Sequence, residues 1–153
     1  MHFKHWSTFI TTPKVSKQEA TVSVATEVIN ESNSPKQITV DALLIDNQGN
    51  HIGKGSKTLN IKAGEGINVE QLIGISNPQL WSPETPAIYK AELSISENGN
   101  EKDHISETFG VRTIAYSADK GFLLNGKTVK LNGGCIHHDN GIIGAAAFDR
   151  AEV

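Results

Sequence analysis

From Ala20 to Asn30 the chain alternates strictly. Val22, Val24, Thr26 and Val28 fall on one side, and Thr21, Ser23, Ala25 and Glu27 fall on the other. A period of two sends successive side chains to opposite faces of an extended backbone, so this segment is a strand with one face in a core. The same rhythm returns at Ala87 to Ile95, where Tyr89, Ala91, Leu93 and Ile95 oppose Lys90, Glu92 and Ser94. No segment before Ala145 carries the 3.6-residue spacing of an amphipathic helix, so any core this chain forms is built from sheets.

Turn chemistry divides the strands. Glu31-Ser32-Asn33-Ser34-Pro35 closes the first, a second runs from about Gln37 to Ile45, and Asp46-Asn47-Gln48-Gly49-Asn50 turns the chain again. Shorter pieces are expected around His51 to Gly53, Ser56 to Ile61 and Ile67 to Ile73, separated by glycine-containing turns. Asn98-Gly99 is a hairpin signal because both positions accept positive φ, and it returns the chain into Lys102 to Arg112, with Ile105, Phe109 and Val111 on one face. Many short strands at turn spacing predict an all-β, antiparallel β-sandwich of about seven strands. Cys135 is the only cysteine, so the inter-sheet disulfide of antibody domains is excluded and the expected type is immunoglobulin-like or fibronectin-like without a bridge.

Length and charge narrow the partners. A chain of 153 residues supports one ordinary domain and a remainder. A net charge of −3 supplies no basic surface for a phosphate backbone, which argues against nucleic acid. No apolar stretch reaches the length of a membrane span. One cysteine suits cytoplasm or periplasm equally.

The domain boundary is expected near Ala115 to Lys120, giving a sandwich over residues 1–116 and a second unit over 117–153. In that second unit Phe122 to Leu124 and Thr128 to Leu131 flank Asn125-Gly126, another hairpin signal, and an apolar, glycine-containing strand from Val129 to Ile136 runs into His137, His138 and Asp139. Polar side chains delivered into a glycine-flanked loop are what an active-site strand offers, and the hairpin and strand cannot bury both their faces alone. The expectation is a piece of an enzyme that stops as its catalytic part begins. Along an extended strand Cys135, His137 and Asp139 share a face and could in principle hold a transition metal, but no second ligand pair stands at a recognisable spacing. No metal or other cofactor is therefore expected. Glycoside hydrolysis would need two facing carboxylates. Glu84 lies in a proline-rich loop, and Asp149 and Glu152 at the start of an expected helix, so each reads as a solvated charge. Trp81, within Asn77 to Pro86, reads as a loop plug packed on the sandwich in preference to a sugar-stacking platform. His2, His5 and Trp6 sit at a chain end, and His51 and His104 at strand edges.

Four stretches in order resemble one family. Leu80-Trp81-Ser82-Pro83-Glu84-Thr85-Pro86-Ala87-Ile88-Tyr89 resembles the end of the middle sandwich domain of glycoside hydrolase family 2, which contains β-galactosidases, β-glucuronidases and β-mannosidases. Phe109-Gly110-Val111-Arg112 resembles the next landmark of that family. Gly121-Phe122-Leu123-Leu124-Asn125-Gly126-Lys127 resembles the hairpin leading into its (β/α)8 barrel, and Gly133 to Asp139 the first barrel strand. Thr11 to Val15 looks like the first sandwich strand, with Met1 to Phe9 as the exit from a preceding domain. The resemblance implies a truncated barrel start after the sandwich and a parent that hydrolyses terminal β-glycosidic bonds, most simply a β-galactosidase. It implies that His137 contacts bound sugar at the end of the first barrel strand, with Asp139 as a weaker substrate-side candidate. Ile136 departs from the basic residue many members carry there. The family's two catalytic glutamates have no counterpart before Val153, so no catalytic residue is assigned and the chain itself is expected to be inactive. Its partners would be carbohydrate, through the parent, and the neighbouring domains of the same polypeptide, with Arg112 and the Trp81 loop making structural contacts. The alternatives are a stand-alone carbohydrate- or protein-binding sandwich, which requires an exposed aromatic platform, and a small metalloprotein.

Overall fold

The computed structural model describes residues 1–135 and 144. Two four-stranded antiparallel sheets face each other, followed by a separate three-stranded sheet. β3 (Glu19–Ile29) is the spine of the first sheet. One of its edges pairs along its whole length with β6 (Gly66–Ser76). The other edge is shared end to end by β1 (His2–Phe3) and β2 (Phe9–Val15). The second sheet has the order β5 (His51–Ile61), β4 (Lys36–Ile45), β7 (Tyr89–Glu97) and β8 (Asn100–Phe109). This is the immunoglobulin-like sandwich that the alternation predicts.

The inward residues of both sheets form one core. Val22, Val24 and Val28 from the first sheet meet Val40, Leu44, Leu93 and Ile95 from the second, all essentially removed from solvent. Burial of such side chains is the dominant favourable contribution to a fold that has no disulfide. Thr26 shares the valine face and is buried, and its hydroxyl is satisfied 3.0 Å from Thr8 Oγ1. The Asn98-Gly99 turn has φ of 50° and 77°, as a type I′ hairpin requires.

One expectation is corrected. The pieces expected around His51 to Gly53 and Ser56 to Ile61 are one continuous strand, β5. Gly53 and Gly55 are not turn residues: a Cβ at Gly53 would lie 2.8 Å from Ile73 Cγ2, and one at Gly55 would fall on Gln71 Oε1. These glycines let β5 approach β6 of the facing sheet, a demand made by tertiary packing. The stretch Met1 to Phe9 also takes part in the sandwich, because β1 pairs with β3 and Phe3 is buried in the core.

Beyond β8 the expected strand face is interrupted. Gly110 breaks the ladder, and Val111, fully buried, bridges Leu80 in parallel. This bridge seats the loop before β7. Tyr89 completes the attachment, its hydroxyl accepting from Gln79 N at 2.7 Å and lying 3.3 Å from Gln79 O. Tyr89→Phe keeps the ring stacked on Phe109 but strands the loop amide. It should cost about 1–2 kcal/mol, read as a lower denaturant midpoint at unchanged m-value. An unchanged midpoint would show that the loop is held without the hydroxyl.

Candidate functional site

The region singled out by sequence is where the sandwich ends and the three-stranded sheet begins. That sheet has the order β11 (Lys127–Thr128), β10 (Gly121–Leu124) and β9 (Ile114–Ser117). Its β10–β11 turn is Asn125-Gly126, with φ of 51° and 75°. Between β9–β11 and the sandwich lies a cleft of about 900 Å³, walled by β2, the Trp81 loop, Phe109, Arg112, Phe122 and Leu131.

Trp81 is half-buried and fixed on every side. Its N–H donates to Val111 O at 2.8 Å, and the Arg112 guanidinium lies 5.1 Å from the centre of its ring. Arg112 is held in turn, its carbonyl accepting from Thr12 Oγ1 at 2.7 Å. Trp81 thus packs against the junction, with Arg112 over its ring and the rest of its surface on the cleft wall. Glu84 in the same loop is exposed; hydrogen bonding by its own backbone N–H and by Ser82 holds its carboxyl below the ordinary carboxylate range. A catalytic acid needs the opposite shift, so Glu84 is a solvated anion.

The cleft as the described residues line it holds one acid, Glu107, and not the facing pair that the two-carboxylate route to glycoside hydrolysis uses. What it presents is apolar: Phe9, Ile88, Ile114 and Leu131 are all substantially exposed on its walls. A surface of this kind is suited to docking.

His137 and Asp139 lie outside the described residues, as do Ile136, His138, Asp149 and Glu152. Cys135 is described and exposed. The metal reading therefore keeps only one of its three ligands within the described residues; among these no group of histidine, cysteine and carboxylate side chains is gathered for a metal. His51 is exposed on the edge strand β5, and His104 on β8 lies 2.9 Å from Glu92.

Trp6, which the sequence marks only as lying near a chain end, is the most exposed large apolar side chain described, at 93%. Its φ of 55° is unusual for a bulky residue. Ser7 Oγ holds the turn, accepting from Glu27 N at 3.1 Å and lying 2.8 Å from Lys4 O, while His5 stacks on the indole at 4.7 Å.

The geometry defines a class first: a disulfide-free immunoglobulin-like sandwich whose last strand passes through a tryptophan-plugged junction into a hairpin. The chain belongs to the glycosyl hydrolases family 2, whose model matches residues 2–112. It is 34% identical over 151 residues to a β-galactosidase of Bacteroides ovatus, covering 99% of this chain and 18% of that enzyme. It is 32% identical over 126 residues to a β-glucuronidase of Formosa agariphila, covering 82% of this chain and 13% of the relative. A solved family 2 glycosyl hydrolase from Bacteroides cellulosilyticus superposes with a TM-score of 0.87 at 36% identity, covering 99% of this chain and 20% of the other. The chain thus spans about a fifth or less of the length of these relatives.

Proposed function

We propose that this chain is the sandwich and barrel approach of a family 2 glycosidase, with β-galactosidase as the activity of the longer polypeptide. The carrying observation is the junction. The residues of the Trp81 loop, Phe109 to Arg112 and the Asn125 hairpin, far apart in sequence, meet around one apolar cleft suited to a following domain. In this reading the sandwich is a spacer that fixes its neighbours, and His137, with Asp139 behind it, contacts the sugar in the parent. The B. ovatus relative supports galactose as the sugar, and the F. agariphila relative makes glucuronic acid the competing substrate. The capped ring of Trp81 weighs against a stand-alone binding module that would use it as a platform.

The test is a panel of aryl β-galactoside, β-glucuronide and β-mannoside offered to the 153-residue chain and to the longer protein. The expected result is no turnover by the chain and preferred cleavage of the galactoside by the longer protein. In the latter, His137→Ala should lower kcat/KM without moving the thermal midpoint. Cleavage by the 153-residue chain alone would overturn the spacer role. Preference for the glucuronide would replace the sugar assignment.

A further inference from the structure

The hairpin after the sandwich is tied down by one side chain. Asn125 occupies the first central position of the β10–β11 turn, where φ of 51° is tolerated by asparagine, aspartate or glycine. A turn former needs nothing more. Yet Asn125 Nδ2 donates to Trp81 O at 2.9 Å, and Asn125 Oδ1 accepts from Thr113 N at 3.0 Å. Its own N–H donates to Thr113 O at 2.9 Å. Among the described residues no other side chain of β10 or β11 hydrogen-bonds the sandwich. The tie is anchored at its far end, because Trp81 N donates to Val111 O and Arg112 stacks on the indole. The Asn125 carboxamide therefore bridges two segments that the sequence separates, the loop before β7 and the exit from β8.

We propose that Asn125 is a positioning residue: its carboxamide latches the hairpin to the Trp81 loop and so fixes the direction in which the chain leaves the sandwich for the catalytic unit. This rests on the glycosidase reading above. The physical reason is leverage. A hairpin held only by the backbone ladder of β9 and β10 can tilt about that ladder, and every residue beyond it tilts too. The bond from Asn125 Nδ2 to Trp81 O lies off that ladder and restrains the tilt, and such placement matters because a small displacement of a group that contacts substrate can cost a large factor in rate.

Two substitutions separate the latch from the turn. Asn125→Gly keeps the positive φ and deletes both side-chain bonds. Asn125→Asp keeps the acceptor for Thr113 N and loses the donor to Trp81 O. Amide hydrogen exchange on the 153-residue chain reads the Thr113 arm through the Thr113 amide and the Trp81 arm through the Trp81 amide, whose bond to Val111 O seats the loop; the Trp81 amide should exchange faster in both variants. In Asn125→Gly the Thr113 amide should exchange about tenfold faster or more, with the core amides of β4 and β7 unchanged. In Asn125→Asp the Thr113 amide should stay protected. Equal exchange of the Trp81 amide in wild type and Asn125→Gly overturns the latch. In the longer protein both variants should lower kcat for its preferred aryl glycoside at an unchanged thermal midpoint. Unchanged kcat alongside faster exchange overturns the positioning role. A wild-type parent that cleaves no glycoside overturns the glycosidase reading, and the exchange result still decides whether the latch exists.

Discussion

Replacing Asn30 by alanine should destabilise the sandwich by about 3 kcal/mol and lower its thermal midpoint by roughly 6–12 °C. Asn30 is completely buried at the end of β3. Its Nδ2 donates to Ser34 O at 2.9 Å and Lys62 O at 3.0 Å, with Ile61 O at 3.3 Å. Its Oδ1 accepts from Ser32 N at 3.1 Å and Ser32 Oγ at 2.7 Å. One carboxamide thus joins the loop leaving the first sheet to the loop leaving β5 in the second, and it closes that end of the sandwich. Alanine leaves several backbone groups without partners, and the penalty comes from those orphaned groups more than from the lost bonds. Asn30→Asp sharpens the test. It keeps the shape and the Ser32 contacts but faces a carboxylate to carbonyl oxygens, so it should be at least as damaging at neutral pH. A stable Asn30→Asp variant would show that donation to Ser34 and Lys62 is not what holds the end together.

Gly110→Ala should cost about 1–3 kcal/mol and dislodge Trp81. An added Cβ would lie 2.9 Å from Trp81 Cβ and Cγ and 3.0 Å from Cδ1. Those are the root of the side chain, which cannot swing aside while Trp81 N is bonded to Val111 O at 2.8 Å. Relief requires the indole to rotate away from Arg112, which gives up the cation–π contact at 5.1 Å. Fluorescence in a Trp6→Phe background isolates Trp81, and its emission should move to the red. The same glycine substitution in a Trp81→Ala background should be close to neutral, since the collision partner is gone. Equal costs in the two backgrounds would place the strain elsewhere.

Much of the sandwich was legible because its determinants are local. Val22, Val24 and Val28, or Tyr89, Ala91, Leu93 and Ile95, declare their faces by spacing alone, and Asn98-Gly99 and Asn125-Gly126 turn the chain with positive φ. What was misread depends on neighbours distant in sequence. Gly53 and Gly55 look like turn residues until the facing sheet is seen to press on them. β1 has two residues, too few for any period to register. By sequence Asn30 is the last residue of a strand and Asn125 an ordinary turn residue, and their networks exist only once remote carbonyls converge on them. Trp81 is half-buried while Trp6 carries the exposed indole, because burial of a loop tryptophan is decided by what it packs against. The candidate sugar contacts His137 and Asp139 rest on the resemblance, since they lie outside the described residues.

The divided edge of the first sheet bears on how such a domain survives within a long polypeptide. β1 and β2 share one side of β3, with the turn from Lys4 to Thr8 between them, and β2 carries Pro13 and a register shift between Thr11 and Lys14. Proline offers no N–H, the shift twists the strand, and the turn breaks its run, so this rim presents no uninterrupted row of donors and acceptors. A nascent neighbour with an unpaired strand finds nowhere along it to zip up. The irregularities that make this margin hard to read in sequence also blunt it as a template for a further strand.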